Sequence, residues 1–275
     1  MSSRPRVSIA INSYKSPELI RLALLALKKH LAQVDFPYEI ILVDSATEEA
    51  TEMLMREEFP EVRFFPFVDN VGYGRLINQS VAAAQGEYIF FINADIIVET
   101  DTIPKLLAYA DAHSEIGLLG PKQLNFDGSL QESCLRYYRP MTILYRRTWL
   151  KYTHWGKRHL DWFTMKDYDH RTPQMVDWLT GSALFCRKTV AEKVGPLDAR
   201  FFMYMEDVDW CRRFWELGLK VCYYPEAIVY HYHAKGSARG GFFFSLLMNR
   251  LTWYHIGSAL KYFMKYRGKP LPRVE

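Results

Sequence analysis

The chain has 275 residues, 49% hydrophobic and 24% charged, a balance that favours a folded chain with a sizeable core in one large or two small domains. Its four cysteines, Cys134, Cys186, Cys211 and Cys222, have no C-x-x-C spacing, no run approaches the roughly 18 apolar residues of a membrane span, and no apolar signal segment precedes the first strand. A reduced, cytosolic protein is therefore expected, with net charge +4 unevenly placed: Lys235, Arg239, Arg250, Lys261, Lys265, Arg267, Lys269 and Arg273 face Glu275 alone, leaving the rest of the chain at −3.

Alternating apolar residues predict a strand over 7–12, and Ser16-Pro17-Glu18 supplies an N-cap, a first-turn proline and an early acid for a helix over 17–31. A buried strand over 38–44 ends in the carboxylate of Asp44, and Ser45-Ala46-Thr47-Glu48-Glu49 opens a second helix. A third strand is expected over 62–67 and a helix over 73–85. The fourth strand, 88–92, is aromatic and β-branched without a polar break, which suits burial on both faces. This strand–helix alternation predicts a parallel sheet with right-handed crossovers. Beyond Asp95 come a helix over 102–113, a strand over 117–121 and a turn at Asn125-Phe126-Asp127-Gly128-Ser129. Residues 136–159 hold Arg136, Arg139, Arg146, Arg147, Lys151, Lys157 and Arg158 without one acid, interleaved with aromatics; their poor periodicity leaves open a mobile, acceptor-facing insertion or a packed loop with solvated charges. A Gly-containing turn then enters a strand near 178–186, a short helix covers 189–194, an acid-rich helix starts near Met205 and stops at Gly218, and closing strands occupy 220–224 and 227–230. From Phe242 onward Phe244, Leu247, Met248, Leu251, Tyr254 and Ser258 keep helical spacing.

Three clusters can carry chemistry. Asn93-Ala94-Asp95 ends a buried strand at the edge where open α/β sheets place ligands, so Asp95 either holds a divalent metal against a diphosphate or caps the next turn. Glu206-Asp207-Val208-Asp209 puts three acids in one helical turn, more than dipole compensation needs, and a carboxylate there can act as general base toward a hydroxyl. His231 and His233 share one face of a strand, fit either to ligate one metal or touch a phosphate, or to be packed core residues. The Asn70-Val71-Gly72-Tyr73-Gly74 segment offers backbone amides to an anion but is neither a P-loop nor a dinucleotide fingerprint.

The order of these motifs resembles family 2 glycosyltransferases over roughly residues 7–240, and within them the bacterial rhamnosyltransferases that use dTDP-L-rhamnose: Asp44, Asn70-x-Gly72-x-Gly74-x-x-x-Asn78, Asn93-Ala94-Asp95, Gly181-Ser182, Glu206-Asp207-Val208-Asp209 and His231/His233. The resemblance implies an α/β GT-A fold: a Rossmann-like, mostly parallel central sheet flanked by helices, a smaller antiparallel acceptor-side sheet and a C-terminal amphipathic helix. It implies a nucleotide-binding half (1–100), an acceptor and catalytic half (101–240) and a basic extension (241–275). Asn12, Tyr14, Asp44, Asn70, Gly72, Arg75, Asn78, Asn93, Asp95, Gly181 and Ser182 would face the nucleotide sugar, with Asp44 on the base. Asp95, aided by His231 or His233, would hold Mg²⁺ or Mn²⁺; Asp207 would be the base of an inverting displacement and Glu206 would position the acceptor. Two departures stand out: Asn93 replaces the first acid of the usual D-x-D, and Arg75 stands where relatives often have a small residue. The implied role is transfer to a saccharide or lipid-linked saccharide in cell-wall or O-antigen polysaccharide synthesis, with a UDP-hexose as the alternative donor.

The basic, aromatic C-terminal helix has three open uses: core packing with a solvated tail, a homodimer contact, or docking at the inner face of the cytoplasmic membrane. A nucleic-acid-binding module is the competing class, prompted by the basic stretches, but it gives no role to acids clustered at strand ends, so no nucleic-acid partner is expected.

Overall fold

The computed structural model describes residues 4–232 and 250–272. Its first half runs β1 (Val7–Tyr14), α1 (Pro17–Leu31), β2 (Tyr38–Ser45), α2 (Glu49–Glu57), β3 (Arg63–Phe67), α3 (Tyr73–Ala83), β4 (Tyr88–Asn93) and β5 (Ile96–Val98). There follow α4 (Thr102–Ala112), β6 (Ile116–Leu124), β7 (Cys134–Leu135), α5 (Pro140–Arg147), a 3₁₀ turn (Trp149–Tyr152) and α6 (His154–Phe163). The chain continues through β8 (Gln174–Met175), β9 (Trp178–Leu179), β10 (Ala183–Arg187), α7 (Lys188–Val194), α8 (Glu206–Glu216), β11 (Lys220–His231) and α9 (Arg250–Lys265).

The main sheet has the order β3-β2-β1-β4-β10-β6-β11-β5, with β8 added beside β11, and β7 and β9 form a separate antiparallel pair. Strands β3, β2, β1 and β4 are mutually parallel, whereas β10 runs antiparallel between β4 and β6. Period-two alternation sorts each central strand between two cores. Ile9, Leu42 and Phe90 pack on the α1 side with Ile20 and Leu24, while Ala10, Ile41 and Phe91 pack on the other with Ile77 and Trp210. Parallel register then brings the strand ends level: Asn12 pairs with Asn93, and Ser13 with Asp44.

Several local expectations change. Ser16 precedes α1, but its hydroxyl donates to the Tyr14 carbonyl at 3.0 Å instead of capping the helix. Helix α2 starts only at Glu49, because the Ala46 amide bonds to Asp69 O and the Thr47 hydroxyl to Asp44 O, holding 45–47 as a turn. The two closing strands are one, β11, with a register shift between Tyr224 and Ile228. Residues 136–159 are not an irregular loop but largely helical. Pro140 sits in the first turn of α5, and the Thr153 hydroxyl caps α6 by accepting from the Gly156 amide at 3.1 Å. These two helices bury only Thr142, Gly156 and Phe163, so no apolar stripe marked them in the sequence.

Helix α9 joins the core instead of hanging off it. Ala259, Tyr262 and Tyr266 share a cluster with Trp210 and Phe214 of α8. Lys265, one of the basic side chains for which membrane docking is one of three open uses, donates to Asp209 Oδ1 at 2.5 Å and Asp198 Oδ2 at 2.8 Å, and Lys261 donates to Arg200 O. Asp209 is fully buried and also accepts from Tyr266 and Arg213. The part of the C-terminal segment over 233–249, including Phe242, Phe244, Leu247 and Met248, lies outside the described residues.

Asp209→Ala should cost about 3 kcal/mol in denaturant unfolding, because it leaves two partly buried cations short of their fully buried anion. A loss under about 0.5 kcal/mol would show that the network does not fasten α9 to α8.

Candidate active site

A cleft of about 210 Å³ opens at the C-terminal edge of β1 and β4, lined by Asn12, Ser13, Tyr14, Tyr73, Asn93 and Asp95 among others. Such edges collect ligands because parallel strands end there and side chains of neighbouring strands converge. Ser13 Oγ, Asn93 Oδ1 and Asp95 Oδ1 are buried there without hydrogen-bond partners. Behind Ser13 lies Asp44, fully buried, its carboxylate oxygens lacking any partner of hydrogen-bond geometry. Burial pushes its pKa up; the Ser13 and Thr47 hydroxyls and the Ser45 amide lie close enough to moderate the rise.

The sheet itself brings His231 to Asp95. Residue Ile96 of β5 pairs with His231 of β11, and the Tyr232 amide donates to Asp95 O at 2.8 Å. His231 Nε2 lies 3.4 Å from Asp95 Oδ1, while its Nδ1 meets Gln131 Oε1 at 2.9 Å. Gln131 also donates to His231 O, so one amide fixes both ring and backbone. The bond between Nδ1 and Gln131 fixes the ring's orientation, as such bonds do in metal-ligating histidines. No cluster of three His, Cys, Asp or Glu side chains converges among the described residues. Asp95, Asn93 and His231 nevertheless suit a Mg²⁺ or Mn²⁺ ion that draws its remaining ligands from a diphosphate. His233 lies outside the described residues.

Glu206 and Asp207 open α8 after two residues with left-handed backbone, Tyr204 (φ 67°) and Met205 (φ 69°). Such strain persists only when the surroundings hold it. Here Ser258 of α9 donates to Met203 O at 2.8 Å, and the Tyr73 amide donates to Phe202 O at 3.2 Å. Gly72 permits that approach: its φ is +78° and a Cβ would lie 2.4 Å from Phe202 O. Asp207 receives the Gly181 amide on Oδ2 at 3.1 Å and the Val208 amide on Oδ1 at 2.9 Å. Burial outweighs these donors and pushes its pKa up to about 6. Glu206, with Oε2 unpartnered, is raised well above the carboxylate range, first by burial and then by the Asp207 charge. The two carboxyls oppose each other's ionisation, and Asp207, with two backbone amides on it, is the better placed to carry the charge.

Asp207 lines a second, larger cleft of about 820 Å³ with Glu132, Tyr138, Arg146, Arg147, Tyr204 and His255 among its walls. Tyr73 joins the two clefts: it lines the smaller one, and its hydroxyl donates to the carbonyl of Gly181, whose amide holds Asp207. Its phenol stays protonated far above neutrality through burial and the charges of Asp207, Glu206 and Asp95.

Asn12, Tyr14, Asn93, Asp95 and His231 are therefore brought together on one side, and Glu206, Asp207 and Gly181 on the other. Asn70 Oδ1 accepts from the Gly72 amide and shapes the turn before α3. Asn78 is turned away: both ends of its amide bond to the Leu197 backbone, at 3.0 and 2.7 Å. Ser182 donates to Gln123 within a closed side-chain network, and Arg75 is exposed outside the cleft lining. Sequence reasoning missed Tyr73, Ser13, Gln131 and His255 as site residues, and it noted Arg146 and Arg147 only as part of a basic run. The Gly74-adjacent aromatic at the start of α3 was a signal for Tyr73; nothing local marked Gln131, which reaches His231 across 100 residues.

Asp44→Asn should raise the melting temperature above pH 7, a gain of about 1 kcal/mol from removing an unpartnered buried charge. A raised folded-state pKa means that Asp44 destabilises the fold increasingly as pH rises from the ordinary carboxylate range through its folded value, so the gain should vanish at acid pH. Equal melting temperatures of variant and wild type at pH 8 would contradict this.

Residues 8–167 match the family described as Glycosyl transferase family 2. The N-acetylglucosaminyl-diphospho-decaprenol L-rhamnosyltransferase of Mycobacterium tuberculosis is 30% identical over 218 residues, covering 74% of this chain and 69% of the relative. The Escherichia coli rhamnosyltransferase WbbL is 24% identical over 258 residues, 88% of each protein. Among solved structures, S. aureus TarS 1–349 aligns at TM-score 0.53 and 16% identity over 82% of this chain, and GalNAc-T7 with UDP, GalNAc and Mn²⁺ at 0.58 and 16% over 83%. The chain spans 60% and 43% of those two structures, which share its GT-A fold. With the order of strands, the Asp95 strand end and the Glu206-Asp207 helix start, these likenesses establish that the chain belongs to glycosyltransferase family 2.

Proposed function

We propose that this glycosyltransferase moves L-rhamnose from dTDP-L-rhamnose to a hydroxyl of a saccharide, lipid-linked in the cell, with inversion at the anomeric carbon. The observation that carries the reading is Asp207: a carboxylate fixed by two backbone amides, with a pKa of about 6, at the meeting of the smaller and larger clefts. The donor's nucleoside and diphosphate fit the smaller cleft, and the acceptor fits the larger one. The similarity to two rhamnosyltransferases supports the choice of sugar, and the mycobacterial relative's name specifies a diphospho-decaprenol acceptor.

In the reaction, the acceptor hydroxyl gives its proton to Asp207, its oxygen bonds to the anomeric carbon, and the bond to the departing dTDP breaks with its electron pair on the phosphate oxygen. Glu206, its ionisation opposed by burial and by the Asp207 charge, neighbours Asp207 at the start of α8. Tyr73 holds the Gly181 peptide so that its amide keeps Asp207 in line. A divalent ion at Asp95 and His231, when bound, neutralises charge on the leaving diphosphate.

Asp207→Asn should abolish transfer, a drop of at least about 10²-fold in kcat, while dTDP still binds. In the wild type, kcat/KM should fall about tenfold per pH unit below about 6, as Asp207 takes up its proton. Wild-type turnover in the variant, or a flat profile down to pH 5, would remove Asp207 from the mechanism. Separately, Asp95→Ala should weaken dTDP binding in Mg²⁺ and leave binding in EDTA unchanged, read by thermal shift. Identical shifts for wild type in Mg²⁺ and EDTA would eliminate the metal site.

A further inference from the structure

Arg146 and Arg147 end α5 on the larger cleft, and no carboxylate pairs with either among the described residues. Arg146 donates to the Tyr138 hydroxyl at 2.5 Å. Arg147 donates from Nε and Nη2 to His255 Nδ1 at 3.1 and 2.8 Å. His255 accepts these bonds as a neutral ring, its pKa driven down to about 3 by burial and by the two guanidiniums. Two adjacent cations held by neutral partners are an unmet demand for an anion, and guanidinium pairs match phosphate oxygens in bidentate geometry.

Arg147 also forms one end of a different cavity. An apolar groove of about 460 Å³ runs between α5 and α9, lined by Ile143, Leu144, Ile256, Leu260 and Phe263 together with Arg147. Immediately after Thr148, another lining residue, the insertion exposes Trp149, Tyr152 and Trp155, with Lys151 between them and Lys157 just beyond. Aromatic rings beside lysines are the side chains that settle at a lipid–water boundary.

A single molecule fits this sequence of surfaces: sugar hydroxyl at Asp207, anionic junction at the arginines, apolar tail in the groove. We infer that Arg146 and Arg147 bind the diphosphate of a polyisoprenyl-diphosphate-linked acceptor, and that the α5–α9 groove holds the first isoprene units of its chain. The inference rests on reading the larger cleft as the acceptor site. It assigns the acceptor's lipid end to the helical insertion and α9, not to the basic side chains Lys261 and Lys265, which are bonded to the protein.

The test titrates the full chain, saturated with dTDP and Mg²⁺ to fill the donor cleft, with farnesyl diphosphate, farnesol or inorganic pyrophosphate, read by tryptophan fluorescence. Farnesyl diphosphate should bind at least tenfold tighter than either fragment. Arg146→Gln with Arg147→Gln should weaken it at least tenfold, and Leu260→Asp, at an exposed position, should reduce it to the level of pyrophosphate. Should the double variant fail to fold, Arg146→Gln alone, at an exposed side chain, should still weaken binding severalfold. Farnesol binding as tightly as farnesyl diphosphate would overturn the arginine assignment, pyrophosphate binding as tightly would overturn the groove, and affinities unchanged in all variants would overturn both. Stabilisation by dTDP reports on the donor reading independently: its absence, with farnesyl diphosphate still selected, would refute the proposed transfer and leave this subsite standing.

Discussion

The phenol of Tyr73, on which the charges of Glu206 and Asp95 also act, meets the carboxylate of Asp207 on one peptide, that of Gly181. Its carbonyl takes the Tyr73 hydroxyl and its amide holds Asp207, so the donor edge of the sheet and the start of α8 are tied through a single backbone unit. Crowding like charges in a water-poor place is unfavourable, and the fold answers by changing protonation more than by supplying cations. Burial and neighbouring charge push the Glu206 and Tyr73 pKa values up, which favours Asp207 as the ionised member of its pair. A Cβ on Gly181 would fall 2.8 Å from the Tyr73 ring, so that arrangement needs glycine at this position.

The surrounding architecture serves to hold that junction against its own cost. Helix α8 is anchored at the opposite side by Asp209, which gathers Lys265, Tyr266 and Arg213. Helix α9 thereby fastens the strained turn at Tyr204 and Met205, through Ser258, to the same element that carries Asp207. On the donor side the work is done by register: parallel pairing sets Asn12 beside Asn93, and the crossing of β5 to β11 sets His231 beside Asp95. Both contacts are set by strand pairing, which suits the diphosphate-binding role proposed for these groups.

The parallel half of the sheet was legible because its strands are buried on both faces and end in polar residues; 17–31 and 73–85 carried clear helix starts. Asp95 and Asp207 were legible for the same reason, since acids at a strand end and a helix start conflict with the apolar run beside them. What was hidden depends on long-range contact. Asn78 shares its motif with site residues, yet its amide completes the backbone of Leu197, 119 residues away. Helices α5 and α6 lack an apolar stripe because they cover the cleft with few buried residues, and their unpaired arginines looked like ordinary solvated charge. Lys265 looked the same in sequence but is paired with a fully buried acid.

In the proposed mechanism Asp207 drives a direct displacement by the acceptor hydroxyl on the face opposite the departing dTDP. Proton NMR of the first product formed from dTDP-L-rhamnose and an N-acetylglucosamine-terminated acceptor tests this most directly. A single product whose anomeric configuration is opposite to that of the donor is predicted; retention of the donor's configuration would contradict the mechanism.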